Sequence, residues 1–238
     1  MIMTLEIMDN PCVILAGGLG TRLSSVLHGV PKCLAPIGDS TFLECQMRHL
    51  CKLGVTSFVL SLGHNAKMVI DYVGSLQNEY DVSYVVEDKP LLTGGAIKLA
   101  LLGSNLSEAL VINGDTIVSG DLSEMLKPLT GGFRCTMGLC KVSDRSRYGG
   151  VEIDDSFVTS FGEKKSASEG LINAGIYRVN QEAFSEISAD KFSFELEVLP
   201  RLASMRLLCG RVLNGSFIDI GVPDDYKRLC QNRGRYFE

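Results

Sequence analysis

The chain has 238 residues, 45% of them hydrophobic, and 23 basic against 28 acidic residues leave a net charge of −5. That length and apolar content suit one large α/β domain, and the acidic balance excludes a global basic field for nucleic acid. No apolar run reaches 18 residues, so no helical membrane span is expected.

Residues 1–10 carry Glu6 and Asp9 and no basic leader, too short and too acidic for a signal peptide. We therefore expect a cytoplasmic protein. The eight cysteines are scattered and form no C-x-x-C pair. They read as buried reduced thiols rather than as metal or redox motifs.

In chain order, Pro11 to Leu15 reads as a strand that runs into Gly17, Gly18 and Gly20. A long polar loop continues to Gly38. Loops of that length in a compact domain are usually functional. The pattern predicts a helix over Thr41 to Leu53, capped near Asp39 to Thr41 and ended by Gly54. Next come a strand at Ser57 to Leu62, a helix from Asn65 to Leu76, a strand at Val82 to Val86, a helix at Thr93 to Leu102 and a strand at Leu110 to Ile112. Four alternations of this kind predict a mostly parallel, Rossmann-like sheet with helices on both faces. Ligands in such sheets sit beyond the carboxyl ends of the strands, and Gly17, Glu87 and Asp115 all follow such ends.

The second half changes texture. Short strands are expected at Cys135 to Val142, Val151 to Ile153, Val158 to Phe161, Leu171 to Val179, Arg206 to Val212 and Ser216 to Ile218. Helices are expected at Gln181 to Ile187, Ser193 to Leu202 and Pro223 to about Arg235. No linker, repeat or low-complexity segment divides the chain. We expect a single domain, whose second half supplies one wall of a cleft.

The glycine loop sets the functional question. Glycines let backbone amides approach a phosphate chain, and Arg22 and Lys32 add positive charge nearby. A P-loop requires Gly-Lys-Ser/Thr, which Gly20-Thr21-Arg22 does not supply. A dinucleotide fingerprint requires a third glycine where Leu23 stands. This leaves a phosphate loop of another type, with a purely structural turn as the competing reading of the glycines alone.

The run Leu15-Ala16-Gly17-Gly18-Leu19-Gly20-Thr21-Arg22-Leu23, followed by Pro31-Lys32, resembles the signature of the sugar-1-phosphate nucleotidyltransferases. The likeness extends through Glu87 to Ile97, Asn113-Gly114-Asp115, Arg147-Tyr148-Gly149, Glu163-Lys164, Asn173 to Tyr177 and Phe217 to Gly221. Lys191 to Glu195 and Asp219 to Pro223 look most like the D-glycero-D-manno-heptose 1-phosphate guanylyltransferases. Two positions depart. Cys33 follows Lys32 where the family often has proline, and Leu92 stands where the heptose enzymes usually have glycine.

The resemblance implies a nucleotide-diphospho-sugar transferase fold and a reaction between a sugar 1-phosphate and a nucleoside triphosphate, with GTP and a heptose 1-phosphate favoured. It implies a nucleotide site of Leu15, Ala16, Gly17, Gly18, Gly20, Thr21, Arg22, Glu87, Pro90, Thr93, Gly94 and Gly95. Arg22, Lys32 and Asp115 would be catalytic, and Asp115 and Asp219 would hold Mg²⁺. Tyr148, Gly149, Glu163, Lys164 and Asn173 would line the sugar phosphate. A sugar-phosphate oxygen is already ionised at neutral pH, so no general base is needed. His28, His49 and His64 accordingly read as structural or surface groups. No nucleic-acid or membrane partner is implied, and homo-oligomerisation is left open. Mannose-1-phosphate guanylyltransferases and UTP-dependent enzymes keep the same chemistry. A non-catalytic nucleotide-sugar sensor keeps the fold alone.

Overall fold

The computed structural model describes residues 10–18, 20, 23, 27, 29–76, 79–162 and 168–237. Its strands are β1 (Pro11–Leu15), β2 (Pro36–Ile37), β3 (Ser40–Thr41), β4 (Ser57–Leu62), β5 (Val82–Val86), β6 (Glu108–Asn113), β7 (Thr116–Val118), β8 (Cys135–Val142), β9 (Val151–Asp154), β10 (Phe157–Phe161), β11 (Gly170–Asn180), β12 (Leu208–Val212) and β13 (Phe217–Asp219). Nine of them form one sheet in the order β5-β4-β1-β6-β11-β8-β12-β10-β9. The neighbours β5, β4, β1 and β6 are all parallel. β11 runs antiparallel to both β6 and β8, while β12 is parallel to β8.

Residues alternate between two cores, as a pleated strand buried on both faces requires. In β1, Cys12 and Ile14 join Leu43, Met47 and Val69 on one side. Val13 joins Ile97, Ala100 and Leu199 on the other. The helices Phe42–Lys52 and Ala66–Gly74 therefore cover one face and the helix Leu92–Gly103 the other.

The helix Phe42–Lys52 begins where its sequence says. Thr41 Oγ1 accepts from the Glu44 N–H at 3.3 Å and satisfies one of the orphan donors at the helix start. The next helix differs from expectation. Asn65 has φ +58, makes no side-chain cap and donates instead to the Gly29 carbonyl at 3.1 Å, and the helix stops at Gly74. The expected helix from Gln181 is only a 3-10 turn to Phe184, and a π turn (Phe194–Val198) precedes the helix Leu199–Ser204. β2, β3 and β7 were not expected.

β7 pairs with β13 as a separate antiparallel ribbon. A third core, with Ile117, Ile218, Ile220 and Leu229, packs this ribbon against the helix Pro223–Gln231, which the short helix Gly234–Phe237 follows. Among the described residues no helix is long and apolar enough to cross a membrane. All eight cysteines are unpaired. Cys51 and Cys230 are exposed and the others buried.

The helix after β5 sits tightly on a loop from the second half. A methyl added to Gly95 would overlap the Asp190 carbonyl, and one on Gly94 would overlap the Phe192 ring. Overpacking of this kind typically costs about 1–3 kcal/mol. Gly95→Ala should therefore lower the thermal midpoint by roughly 5 °C, read by calorimetry. An unchanged midpoint would show that the 190–192 loop yields freely.

Candidate functional site

The parallel strands run outward from β1 to β4 and β5, then return to β6 on the other side of β1. The topological switch therefore lies between β1 and β6, where open α/β sheets bind ligands. A cleft of about 760 Å³ opens there. It is lined by the segments that follow β1 (Ala16, Gly17, Gly18), β4 (Gly63, His64), β5 (Glu87 to Pro90) and β6 (Gly114, Asp115), and by Lys32, Leu92, Thr93 and Glu195.

Backbone packing fixes the two central segments. The Gly114 N–H donates to the Leu15 carbonyl at 3.0 Å. A Cβ on Gly114 would lie 2.5 Å from that same oxygen, so only glycine lets the two strand ends touch. Gly175, with φ +70, performs a similar service for β11. A Cβ there would stand 2.6 Å from Asn113 Nδ2. The Asn173-Ala174-Gly175 and Asn113-Gly114-Asp115 motifs thus meet, where β11 loses register with β8 between Asn173 and Tyr177.

Lys32 reaches Asp115 in an ion pair of 2.9 Å, with side chains 18% and 27% exposed. Its stem lies against Gly20, whose φ is +63 and where a Cβ would meet Lys32 Cγ at 2.9 Å. Lys32–Leu34 is a 3-10 turn closed by Leu34 N–H to Pro31 O at 2.9 Å and Ala35 N–H to Lys32 O at 3.0 Å. Cys33, where the family often has proline, is buried within this turn. Burial pushes its thiol up to about 12, with the nearby Asp115 carboxylate adding to the rise. The thiol is a neutral packing group.

Asp219 arrives from the far end of the chain. It is the cross-strand partner of Thr116, and the Ile220 N–H donates to the Asp115 carbonyl at 2.9 Å. The ribbon therefore ties the segment that carries Asp219 to the segment that carries Asp115. Asp219 Oδ1 also accepts from the Gly221 N–H at 2.7 Å. Among the described residues no group of three or more His, Cys, Asp and Glu side chains could hold a metal ion. Carboxylate oxygens, such as those of Asp115 and Asp219, are the donor type that a hard divalent cation prefers.

An unexpected contributor is Gln46. It is buried in the helix Phe42–Lys52, and its Nε2 donates to the Asn113 carbonyl at 3.1 Å and the Thr116 carbonyl at 2.8 Å. It clamps the turn that carries Asp115. A single glutamine in an amphipathic helix gives no signal of that role in a sequence.

A family model described as "Nucleotidyl transferase" matches residues 12–233. The chain belongs to the nucleotidyl transferase family. It is 38% identical to the D-glycero-alpha-D-manno-heptose 1-phosphate guanylyltransferase of Aneurinibacillus thermoaerophilus, over 94% of this chain and 98% of that protein. It is also 38% identical to the enzyme of that name from Campylobacter jejuni, over 92% of this chain and 98% of the relative. The crystal structure of HddC from Yersinia pseudotuberculosis complexed with GMP-PN superposes with a TM-score of 0.83 at 37% identity, covering 94% of this chain and 99% of that one.

Within this nucleotidyltransferase, the expected nucleotide residues divide. Leu15, Ala16, Gly17, Gly18, Glu87, Pro90 and Thr93 line the cleft. Gly20 supports Lys32. Glu87 Oε2 accepts from the Leu91 N–H at 2.9 Å, and the carboxylate packs against Gly17 and Gly63. A carboxylate offers about four acceptor positions, so capacity remains for a ligand. Gly94 and Gly95 sit elsewhere. They are buried outside the cleft lining, and both N–H groups donate to the Phe192 carbonyl at 3.1 and 3.3 Å. Their glycines admit the 190–192 loop. The Thr93 hydroxyl is likewise engaged, with Glu195. Glu195 lines the cleft although no role was read for it, and so does His64, which was expected to be structural or surface.

The described sugar-side residues Tyr148, Gly149 and Asn173 are not among those lining this cleft. Tyr148 stacks edge-on against Phe217 of β13 at 5.5 Å, two residues before Asp219. Gly149 lies against the Gly162 carbonyl, 3.0 Å from where its Cβ would be. Asn173 Nδ2 hydrogen-bonds Tyr177 Oη at 2.7 Å and its Oδ1 accepts from the Gly175 N–H at 3.0 Å, so the amide is partly used to shape its own strand. Arg147 pairs with the buried Asp225 rather than pointing to the cleft. Thr21, Arg22, Glu163 and Lys164 lie outside the described residues.

Gln46→Leu should leave two carbonyls of the Asp115 turn without donors and cost about 1–3 kcal/mol of stability. It should also lower turnover while the KM for nucleotide changes little, because the clamp acts on Asp115 and not on the base. Stopped pyrophosphate-release assays and thermal melts measure the two effects. Wild-type turnover in a destabilised variant would reduce Gln46 to a core hydrogen bond.

Proposed function

We propose that this nucleotidyltransferase joins D-glycero-D-manno-heptose 1-phosphate to the guanylyl group of GTP, releases pyrophosphate, and supplies GDP-heptose for surface polysaccharide synthesis. The observation that supports this reading is the cleft at the β1–β6 switch point, lined by Gly17, Gly18, Lys32 and Asp115, with Asp219 strand-paired to Thr116 next in sequence to Asp115. The heptose and the guanine are taken from the relatives named above.

An oxygen of the sugar phosphate attacks the α-phosphorus of GTP. The new P–O bond forms as the bond to the bridging oxygen of the β-phosphate breaks, and that oxygen leaves on pyrophosphate. No proton need be removed from the nucleophile. The residues' task is to align two anions and offset their charge. Lys32 would meet the α-phosphate and the incoming sugar phosphate, and Arg22 the departing pyrophosphate. Asp115 and Asp219 would hold Mg²⁺, which when bound neutralises charge on the α-phosphate.

Glu87 would accept from guanine N1–H and N2–H₂. Against uracil it would face a carbonyl oxygen, which costs affinity. Pro90 and Thr93 would border the base. Tyr148, Gly149, Glu163, Lys164 and Asn173 would receive the sugar phosphate, with the amide of Asn173 able to donate and accept toward a polyol. We read the chain as one cytoplasmic domain, its nucleotide half at 11–116 and its sugar half at 117–238.

The test is pyrophosphate release by purified protein with Mg²⁺, across four nucleoside triphosphates and heptose, mannose and glucose 1-phosphates. The expected outcome is activity with GTP and the heptose phosphate. Silence across the matrix with nucleotide-sugar binding intact would mean a sensor instead. Asp115→Asn and Asp219→Asn should each lower turnover by roughly 10²-fold or more, and wild-type rates in either would remove the metal assignment.

A further inference from the structure

Leu92 opens the helix after β5 with φ +61. L side chains rarely adopt this left-handed conformation, because Cβ crowds the following carbonyl. Five described non-glycine residues have positive φ: Asn65, Leu92, Asn105, Asp155 and Arg206. Asn and Asp tolerate the conformation. Arg206 follows the C-cap of the helix Leu199–Ser204, a usual place for it, and its guanidinium stacks over Phe157 at 4.0 Å. Leu92 has neither excuse. It stands at a helix start, and its side chain is 50% exposed.

The backbone at this point is set by its neighbours. The Leu91 N–H is held by Glu87 Oε2 at 2.9 Å, and the Leu91 carbonyl accepts from the Phe192 N–H at 3.1 Å. Glycine would meet the same demand without strain. What leucine adds is an apolar side chain in the cleft wall, beside Glu87 and Pro90.

Position along the sheet says what that side chain meets. Lys32 and Asp115 mark the phosphate end, at β6, and Glu87 and Leu92 follow β5, three strand spacings away, roughly 14 Å. A nucleotide whose phosphates lie at the first end has its base toward the second. The base is the flat, weakly polar part of the ligand, and an isobutyl group suits its face.

We infer that Leu92 is a specificity residue: its side chain packs on the face of the nucleobase and favours the larger purine ring over a pyrimidine. The inference rests on the cleft being the nucleoside triphosphate site. Glu87 would read the edge of the base and Leu92 its area. The strain at Leu92 is then kept for binding, since the fold does not require it.

Leu92→Gly and Leu92→Asn test this, because both residues accept positive φ and neither has an apolar face. Binding of GTP and of UTP is measured by calorimetry, with a thermal melt of the nucleotide-free protein. The melting midpoint should hold or rise by about 1–4 °C as strain is relieved. The Kd for GTP should rise about fivefold, the scale of losing half a leucine's burial, and the Kd for UTP should rise less. Unchanged GTP binding in both variants, or equal losses for GTP and UTP, would overturn the role of Leu92. So would a fall in midpoint with binding intact, which would mark Leu92 as a packing residue. A wild-type protein that binds neither nucleotide would overturn the cleft assignment itself, and the Leu92 role with it.

Discussion

Strand pairing sets Asp219 opposite Thr116, and the Ile220 N–H to Asp115 carbonyl hydrogen bond ties the two ends of the chain together at that point. Much of the surrounding structure holds that junction in place. Lys32 supplies the opposite charge at 2.9 Å from Asp115, in a position partly screened from solvent, where a pair interacts more strongly than on an open surface. The Gly221 N–H gives Asp219 a hydrogen bond, which favours the charged carboxylate. The ribbon of β7 and β13 is only three residues long on each side. A two-stranded ribbon is marginal alone, so its rigidity comes from the isoleucine-rich core that ties it to the helix Pro223–Gln231.

The backbone contacts around that junction explain why glycine recurs in the site. At Gly114 the neighbour is the Leu15 carbonyl, at Gly175 it is the Asn113 amide, and at Gly20 it is the stem of Lys32. Each glycine removes a side chain so that a different segment can come near Asp115. Gly18 is exposed and has nothing within 4 Å of a Cβ, which leaves its surface open to a ligand. Chemically similar glycines therefore do two jobs. Some bring protein against protein, and some leave backbone exposed.

That distinction marks how far the sequence could be read. The strands of the parallel half were legible because they are short apolar runs between helical periods, and the carboxyl-end rule then placed Gly17, Glu87 and Asp115 in one region. Asp115 and Asp219 were paired through family likeness, since no local spacing connects residues a hundred positions apart. β7 escaped because Thr116–Val118 is too short to show a period of its own. Gly94 and Gly95 carry the same letters as a phosphate-cradling turn, but their partner is a loop from 190–192 that only tertiary structure supplies. Gln46 and the cleft position of His64 were invisible for the same reason. Arg22, Glu163 and Lys164 lie outside the described residues, so the likeness remains what assigns them.

The two ends of the cleft differ in how much change they can absorb. At the β6 end, Gly114 and Gly175 abut neighbouring strands with no room for a methyl, and Lys32 is held by a closed turn with Cys33 buried inside it. A substitution there moves the carboxylates or the lysine, and so alters the reaction itself. At the β5 end, Leu92 projects from a backbone that its neighbours hold in place, and half of its side chain faces solvent. On the proposed reading, a substitution there would change what the base touches while leaving the phosphate end in position. A protein built this way can shift its choice of nucleotide or the strength of its grip by single side chains after β5. Its chemistry stays fixed by backbone contacts three strands away.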